Sequence, residues 1–384
     1  MKAGFVKESM PGERRVALTP GVLASLTKAG FEILFESGAG EAAGYPDQEF
    51  IDKGAKALGS RGEVLDGVDV LLQVRSLGAN AEHGRADLQA MRKGQIAIGL
   101  FDPLTAGDAV RATADQGVTQ FALELVPRIT RAQSMDVLSS MATIAGYKAV
   151  LLAADHLPKI FPMMMTAAGT IAPARCFVIG AGVAGLQAIA SARRLGAQVL
   201  AYDVRPAVKE QVESLGAKFV EMELDAGSSE DKGGYAKAMG EEFYKKQREL
   251  MTRVVAEQDA VITTAAIPGK KAPLLITEAM VQAMPSGSVI VDLAAESGGN
   301  CELTEAGQTI ERHGVTIIGP ENIPAAIPYH ASQMFSKNLA TLLLSLVKEG
   351  EIAIDTEDEV VAGTLICKDG SIVNPRVREA MGLD

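Results

Sequence analysis

The fold is decided by one stretch of the chain, residues 174–185, which reads Ala-Arg-Cys-Phe-Val-Ile-Gly-Ala-Gly-Val-Ala-Gly. Its apolar first half predicts a buried strand that runs directly into a glycine turn. The alanine- and leucine-rich residues 186–195 follow as a predicted helix, and residues 198–202 follow as a second strand that ends in Asp203. Together these segments predict a βαβ unit.

Three glycines in this unit, Gly180, Gly182 and Gly185, have the G-x-G-x-x-G spacing of a dinucleotide-binding turn. In such a turn one glycine makes the bend, one lets the backbone approach the pyrophosphate, and one lets the helix pack against the strand. The helix N-terminus offers N–H groups and a positive dipole to the phosphates. Asp203 lies near the spacing of roughly 20 residues at which an acid holds the ribose hydroxyls. Since a carboxylate repels a 2′-phosphate, the pattern favours NAD over NADP.

Composition excludes several other classes of protein. Aromatic residues are only 4% of the chain and the net charge is −11, which argues against a nucleic-acid partner. The three cysteines are far apart and match no metal-binding spacing, so no metal site is predicted. The N-terminus is too charged for a signal peptide, and no run of 18 apolar residues is present. The sequence therefore predicts a globular protein without a membrane span of its own.

Apolar strands alternate with helical segments along most of the chain, which predicts an α/β fold with two doubly wound, Rossmann-like domains. Two long helices, ending near residue 157 and over about 327–348, are predicted to join the domains. The tail after residue 351 is expected to complete the first one. The predicted boundaries are 1–135 plus 330–384 for an N-terminal α/β domain, and 136–329 for the dinucleotide-binding domain.

Two segments do not fit the alternation of strands and helices. Residues 161–166, Phe-Pro-Met-Met-Met-Thr, are interpreted as core filler, because methionine fills irregular gaps, and a substrate-facing cluster is the alternative. Residues 225–234 are small and polar, with Tyr235 at their end, so they are predicted to form either a lid or a disordered surface loop.

The sequence is poor in acid–base groups, with four isolated histidines and no nucleophile motif. A dehydrogenase acting on an alcohol or amino acid must move a proton as well as a hydride. Hydride exchange between two nicotinamides needs only alignment, a dry site and polar groups that fix the rings. Loop 128–136 offers such groups in Arg128, Gln133 and Asp136. The alternative interpretation is that Arg128 and Asp136 form an interdomain ion pair.

Over essentially its whole length the chain resembles the NAD(H)-binding subunits of proton-translocating NAD(P) transhydrogenases, in the alanine dehydrogenase/transhydrogenase family. The matching stretches are Glu-Arg-Arg-Val-Ala-Leu-Thr-Pro at 13–20, Pro-Arg-Ile-Thr-Arg-Ala-Gln-Ser-Met-Asp at 127–136, Val-Ile-Gly-Ala-Gly-Val-Ala-Gly-Leu-Gln at 178–187, Tyr-Asp-Val-Arg-Pro at 202–206 and Ile-Pro-Gly-Lys-Lys-Ala-Pro at 267–273. The second of these is the most diagnostic.

The resemblance implies direct hydride transfer between NADH bound to this chain and NADP⁺ bound to a partner. It also implies two doubly wound domains with a cleft between them. The residues expected to act in catalysis are Arg128, Gln133, Asp136 and Tyr235. The residues expected to bind the cofactor are Arg128, Ile129, Gln133, Asp136, Ser139, Gly180, Ala181, Gly182, Val183, Gly185, Asp203, Val204, Arg205, Gly234, Gln247, Ala265 and Ala266.

The implied partners are a second copy of the chain, the NADP(H)-binding domain of a beta subunit, and a membrane-spanning subunit that couples the reaction to proton translocation. The expected location is cytoplasmic, peripheral to the inner (cytoplasmic) membrane through those partners.

Two other functions compete with this one. Alanine dehydrogenases share the fold and carry a substrate-binding arginine like Arg15, but the lysine and histidine of their pattern are replaced here, in residues 73–76 and 99–102. An amino-acid dehydrogenase is therefore the runner-up, and a non-catalytic NAD-sensing module is the third hypothesis.

Overall fold

The computed structural model describes residues 1–221, 241–266 and 269–383. The chain divides into two compact units. The first unit comprises Met1–Met141 and Pro324–Asp384, and the second unit comprises Ala142–Ile323.

The first unit contains a sheet that has eight strands in the described part of the chain. Six of them are parallel, and the last two, from the C-terminal tail, run antiparallel at one edge. In spatial order the strands are Ser371–Ile372, Leu365–Lys368, Thr119–Ala122, Ile96–Leu100, Val70–Arg75, Lys2–Phe5, Glu32–Glu36 and Lys56–Leu58. The tail therefore completes the first sheet.

The second unit contains a sheet with seven strands among the described residues. In spatial order they are Lys218–Phe219, Gln198–Tyr202, Arg175–Ile179, Ala260–Thr263, Val289–Asp292, Val315–Ile318 and Thr309–Arg312, of which only the last is antiparallel. The six parallel strands of each sheet have the spatial order 3-2-1-4-5-6, numbered along each unit, which is the order of a Rossmann fold. The predicted fold class, α/β with two doubly wound Rossmann-like sheets, is confirmed.

Helices follow most of the parallel strands. In the first unit they are Pro20–Lys28, Asp47–Ile51, Arg61–Gly67, Gly84–Ala90, Gly107–Gln116, Pro328–Ser345, Glu359–Thr364 and Pro375–Ala380. In the second they are Val183–Arg194, Lys209–Ser214, Glu241–Val255 and Glu278–Gln282, and the helix Val137–His156 crosses the division.

The strand Arg175–Ile179 shows why the second sheet is covered on both faces. Successive side chains of a strand point to opposite faces. Accordingly, Cys176 and Val178 belong to one buried cluster, which includes Ile189 of the following helix. Phe177 and Ile179 belong to another, which includes Met251. An uninterrupted apolar strand is therefore buried on both sides, as is typical of parallel sheets.

One segment contradicts its predicted role. The strands Met164–Thr166 and Gly169–Ile171 form an antiparallel hairpin whose residues are all exposed. Met163 is 60% exposed and Met165 is 78% exposed. The interpretation of these methionines as core filler is therefore wrong, because the apolar run folds back on itself instead of entering either core.

The helix Val137–His156 is the one helix in the described residues that is long and apolar enough to cross a membrane by length and composition. Its sequence also contains polar residues, Lys148 among them, so it is not a continuous apolar run. Ala149, Val150 and Ala153 are completely buried in the core of the second unit. The core helix of a globular protein passes the same test, and the burial of this face favours that interpretation.

Candidate functional site

The glycine turn of the second unit gives each of its three glycines a different geometry. Gly180 has φ +96°, a conformation that glycine adopts without steric cost, and its N–H donates to the Tyr202 carbonyl at 2.8 Å. A Cβ on Gly185 would lie 1.8 Å from the Gly180 carbonyl oxygen, so the helix can pack this closely only without a side chain. Gly182 precedes the helix Val183–Arg194, and a Cβ there would meet no atom within 4 Å.

Asp203 directly follows the strand Gln198–Tyr202, and its side chain binds the backbone of the glycine turn. Its Oδ2 accepts hydrogen bonds from the Ala181 N–H at 2.7 Å and from Arg205 Nη2 at 2.9 Å. Its Oδ1 accepts from the Arg205 N–H and Nε, each at 2.9 Å. A carboxylate has about four lone-pair sites, so these four donors saturate it. A ribose hydroxyl would therefore have to displace a donor, and the partly exposed side chain of Arg205 is the one that can move.

Gln247 lies behind this strand. It is buried, and its Nε2 donates to the Tyr202 hydroxyl at 3.1 Å. Burial raises the pKa of Tyr202 to about 12, so the phenol stays neutral near pH 7. In this structure Gln247 supports the strand that carries Asp203.

Ala265 and Ala266 follow the strand Ala260–Thr263, which lies beside Arg175–Ile179 where the strand order reverses. Thr264 Oγ1 donates to the Gly180 carbonyl at 3.1 Å, so this segment adjoins the glycine turn. In open α/β sheets ligands bind at this reversal, beyond the carboxyl ends of the strands.

Sequence reasoning missed the residues that hold this segment. The Asn300 side chain accepts from the Ala265 N–H at 3.0 Å and donates to the Ala265 carbonyl at 2.8 Å. Asp292 Oδ2 in turn accepts from the Asn300 N–H at 2.7 Å. An aspartate closing a strand as apolar as Val289–Asp292 is the signal that could have found this network.

Loop 128–136 belongs to the first unit and contains a 3₁₀ helix over Thr130–Met135. Ile129 is half-buried, whereas Arg128 and Gln133 are exposed. Asp136 accepts from the Ser139 N–H at 2.8 Å and from the Ser139 hydroxyl at 2.6 Å. This is the arrangement of an N-cap, so Asp136 starts the helix Val137–His156.

Glu124 ties the chain just before this loop to the first sheet. Its Oε1 accepts from the N–H groups of Phe101 and Asp102, at 2.6 and 2.7 Å, beyond the end of the neighbouring strand. Burial raises the pKa of Glu124 to about 7, despite these hydrogen bonds. The carboxylate therefore fixes the start of the loop against the strand Ile96–Leu100.

Arg15, the residue that resembles the substrate-binding arginine of alanine dehydrogenases, is buried beside Glu13. Its Nε donates to Glu13 Oε1 at 2.8 Å, and its Nη2 donates to Glu13 Oε2 at 2.6 Å. A substrate carboxylate would compete with Glu13 for these donors.

Gly234, Tyr235 and the proposed lid 225–234 lie outside the described residues, as do residues 267–268 of the Pro-Gly-Lys-Lys turn. Within the part of the chain that the structure describes, no group of three or more His, Cys, Asp or Glu side chains could hold a metal ion.

Residues 4–145 match the N-terminal domain, and residues 149–375 the C-terminal domain, of the alanine dehydrogenase/PNT family. The chain belongs to this family.

Within the family, similarity is high to transhydrogenases. The chain is 47% identical to an NAD(P) transhydrogenase subunit alpha of Rhodospirillum rubrum, covering 98% of both chains. The crystal structure of transhydrogenase from Sinorhizobium meliloti superimposes with a TM-score of 0.85 at 43% identity, covering 98% of this chain and 99% of that one. An L-alanine dehydrogenase structure superimposes with a TM-score of 0.83 at 26% identity, covering 100% of this chain and 99% of that one. The backbones are thus almost equally similar, whereas the sequence identity is higher to the transhydrogenase.

Proposed function

We propose that this chain is the NAD(H)-binding component of a proton-translocating NAD(P) transhydrogenase. Hydride passes directly between NADH bound to this chain and NADP⁺ bound to a partner domain, and a membrane subunit couples the reaction to proton translocation. The observation that carries the proposal is the 47% identity, over nearly the full length of both chains, to a transhydrogenase alpha subunit.

The glycine turn fits the pyrophosphate of a dinucleotide. The space beside Gly182 is open where a side chain would otherwise stand, and the helix begins directly after it, at Val183. The first N–H groups of a helix are suited to binding phosphate. Bound NADH supplies a hydride from its nicotinamide ring. The residues of the turn contribute binding and orientation, and Asp203 with Arg205 sets the preference at the ribose.

Loop 128–136 is proposed to orient the nicotinamide end. Arg128 offers a cation and Gln133 offers an amide, both from exposed positions, and Asp136 with Ser139 holds the end of the loop. None of these groups has to transfer a proton, because hydride exchange between nicotinamides changes no protonation at the reacting carbons. Their contribution is alignment.

The proposed assembly is a homodimer that docks the NADP(H)-binding domain of a beta subunit. It is peripheral to the cytoplasmic membrane through a membrane-spanning subunit. The exposed apolar hairpin Met164–Ile171 supports self-association, because isolated apolar patches of this kind mark contact surfaces.

Reconstitution tests the proposal. The purified chain, mixed with a transhydrogenase NADP(H)-binding domain, should reduce an NAD analogue at the expense of NADPH. A Gly182→Val variant is the matched control, since its side chain fills the open space beside the turn. Turnover of pyruvate, ammonia and NADH by the chain alone would instead establish the alanine dehydrogenase alternative. Tight NADH binding without hydride transfer to any partner would establish the third hypothesis, a non-catalytic NAD-sensing module.

Gln133→Asn tests the role of the loop. Shortening the side chain by one methylene moves its amide by about 1 Å, and misplacement on that scale can reduce a rate by up to ~100-fold. We expect hydride transfer to slow by about 10- to 100-fold while the Kd for NADH changes by less than ~3-fold. Stopped-flow kinetics measure the rate of hydride transfer, and NADH fluorescence titration measures the Kd. Thr130→Ala, at another position of the same loop, is the control. Equal losses of rate and affinity would mean that the loop only binds.

A further inference from the structure

Loop 128–136 has an unusual backbone for a segment that must hold side chains in place. Its 3₁₀ helix spans the six residues Thr130–Met135, whereas runs longer than three or four residues are uncommon because the hydrogen bonds are poorly aligned. Ala132 and Met135 are its buried residues. The loop packs little apolar surface of its own, so its conformation depends on what holds it from outside.

Asp358, in the C-terminal tail, provides one such anchor. Arg131 donates to it through two nitrogens, Nη1 to Oδ2 at 3.1 Å and Nη2 to Oδ1 at 2.7 Å. Asp358 Oδ1 also accepts from the N–H groups of Val360 and Val361, at 2.8 and 3.3 Å, and so caps the helix Glu359–Thr364. One carboxylate thus joins the loop to the start of a helix.

Asp358 carries its charge near neutral pH, because the hydrogen bonds from Arg131 lower its pKa to about 2. The side chains of Arg131 and Asp358 are 50% and 35% exposed, and ion pairs this exposed contribute little to the stability of a whole protein. The bidentate geometry nevertheless fixes the direction of the arginine, and with it the backbone that carries it.

Two further contacts hold the same loop. Asn338, buried in the helix Pro328–Ser345, donates from its Nδ2 to the Ser134 carbonyl at 2.9 Å. At Gly363, a Cβ would lie 3.2 Å from Pro127 Cδ, so the helix that Asp358 caps packs directly beneath the start of the loop. The residue just before the loop, the middle of the loop and its end are therefore each contacted by residues from position 338 onward.

We propose that Asp358 and Asn338 are positioning residues for hydride transfer. They touch neither nucleotide and act by holding loop 128–136 so that Gln133 and Arg128 meet the nicotinamide end. This inference rests on the proposed function for its consequence in catalysis, but the anchoring itself can be measured without any partner domain.

The test begins with Asp358→Asn, in which the amide oxygen still caps the helix but the charge that Arg131 pairs with is lost. We expect hydride transfer to slow by about 3- to 10-fold, with the Kd for NADH within ~2-fold of the wild-type value. Amide hydrogen exchange over residues 128–136 should accelerate by about fivefold or more, while exchange in the second unit stays unchanged. Arg131→Ala should have the same effects, and Arg131→Lys, which keeps the charge but not the fork, should retain part of the activity.

The double variant Asp358→Asn with Arg131→Ala should be no worse than either single variant, because both remove one interaction. Asn338→Ala, measured separately, should also accelerate exchange in the loop. The matched control is Asp355→Asn, which removes an exposed pair with Lys348 at 3.1 Å from the same tail and should change neither readout.

Unchanged loop exchange in both Asp358→Asn and Asn338→Ala would overturn the inference, whatever the activity. Additive losses in the double variant, or a loss of NADH affinity as large as the loss of rate, would do the same. If the wild-type chain transfers no hydride with any partner, the proposed function fails, and the exchange data alone then decide whether these residues hold the loop.

Discussion

Gly182 and Gly185 lie three positions apart in one motif, yet an added side chain would meet different surroundings at each of them. At Gly185 a methyl group would collide with the backbone carbonyl of Gly180 at 1.8 Å. At Gly182 it would point into open space, with φ −74° that any residue adopts. Gly185 is therefore required by the fold, whereas the fold does not require Gly182, and the proposed function assigns the space beside Gly182 to the cofactor.

This difference gives a prediction with its own control. Gly185→Ala should lower the free energy of unfolding by about 1–3 kcal/mol, the usual range for overpacking. Gly182→Ala should change it by less than ~0.5 kcal/mol, as for other substitutions into open space. If the pyrophosphate approaches Gly182, this second variant should nevertheless weaken NADH binding by about tenfold. Chemical denaturation and fluorescence titration separate the two effects. A Gly182→Ala protein with normal affinity would contradict the assignment of the turn.

The glycine spacing and the terminal acid can be predicted from the sequence, because both obey a fixed local geometry. The saturation of Asp203 by Arg205 and Ala181 cannot, because a carboxylate two positions from an arginine can pair with it or with solvent. The support from Asn300 and Asp292 is equally hidden, since it depends on strands that meet only in the folded sheet.

The helix Val137–His156 packs closely against a neighbour at Gly146. A Cβ there would lie 2.0 Å from the Ala184 carbonyl oxygen, in the first turn of the helix that follows the glycine motif. The long helix thus packs closely against the N-terminal end of its neighbour.

Gly146→Ala should therefore push these helices apart and destabilise the protein by about 1–3 kcal/mol. Gly62→Ala offers the contrast, because Gly62 is also helical but a Cβ there meets no atom within 4 Å. That variant should be stabilised by up to ~1 kcal/mol through helix propensity. Thermal unfolding measures the stability change of each variant. A Gly146→Ala protein as stable as the wild type would show that the contact between the helices can relax.

Element order is predictable because alternating apolar and amphipathic segments specify strands and helices locally. The hairpin Met164–Ile171 is not, because apolar residues exposed on both strands carry no pattern that separates a surface contact from a core. Only the surroundings of the segment in three dimensions show that neither core receives it.

For the whole molecule, the hairpin makes the proposed homodimer testable. Met165→Glu replaces a side chain that is 78% exposed, so the fold should remain intact while an apolar contact is lost. Sedimentation should show a dimer for the wild-type chain and an increased monomer fraction for the variant. Ile51→Glu, at another exposed apolar position, should stay dimeric. A monomeric wild-type chain, or a variant that is still fully dimeric, would contradict the role of the hairpin.

The pairing of Arg131 with Asp358 spans 227 positions of the chain, and it has a consequence for the order in which a nascent chain matures. The ribosome makes all of the second unit before it makes Asp358 or the strand Leu365–Lys368. At about 5–20 residues per second, the first sheet waits on the order of ten seconds or more for its last two strands. During that time the edge of Thr119–Ala122 is unpaired and loop 128–136 lacks its anchors. The first unit therefore begins to emerge before the second unit, but it receives its last two strands only after the second unit has been made.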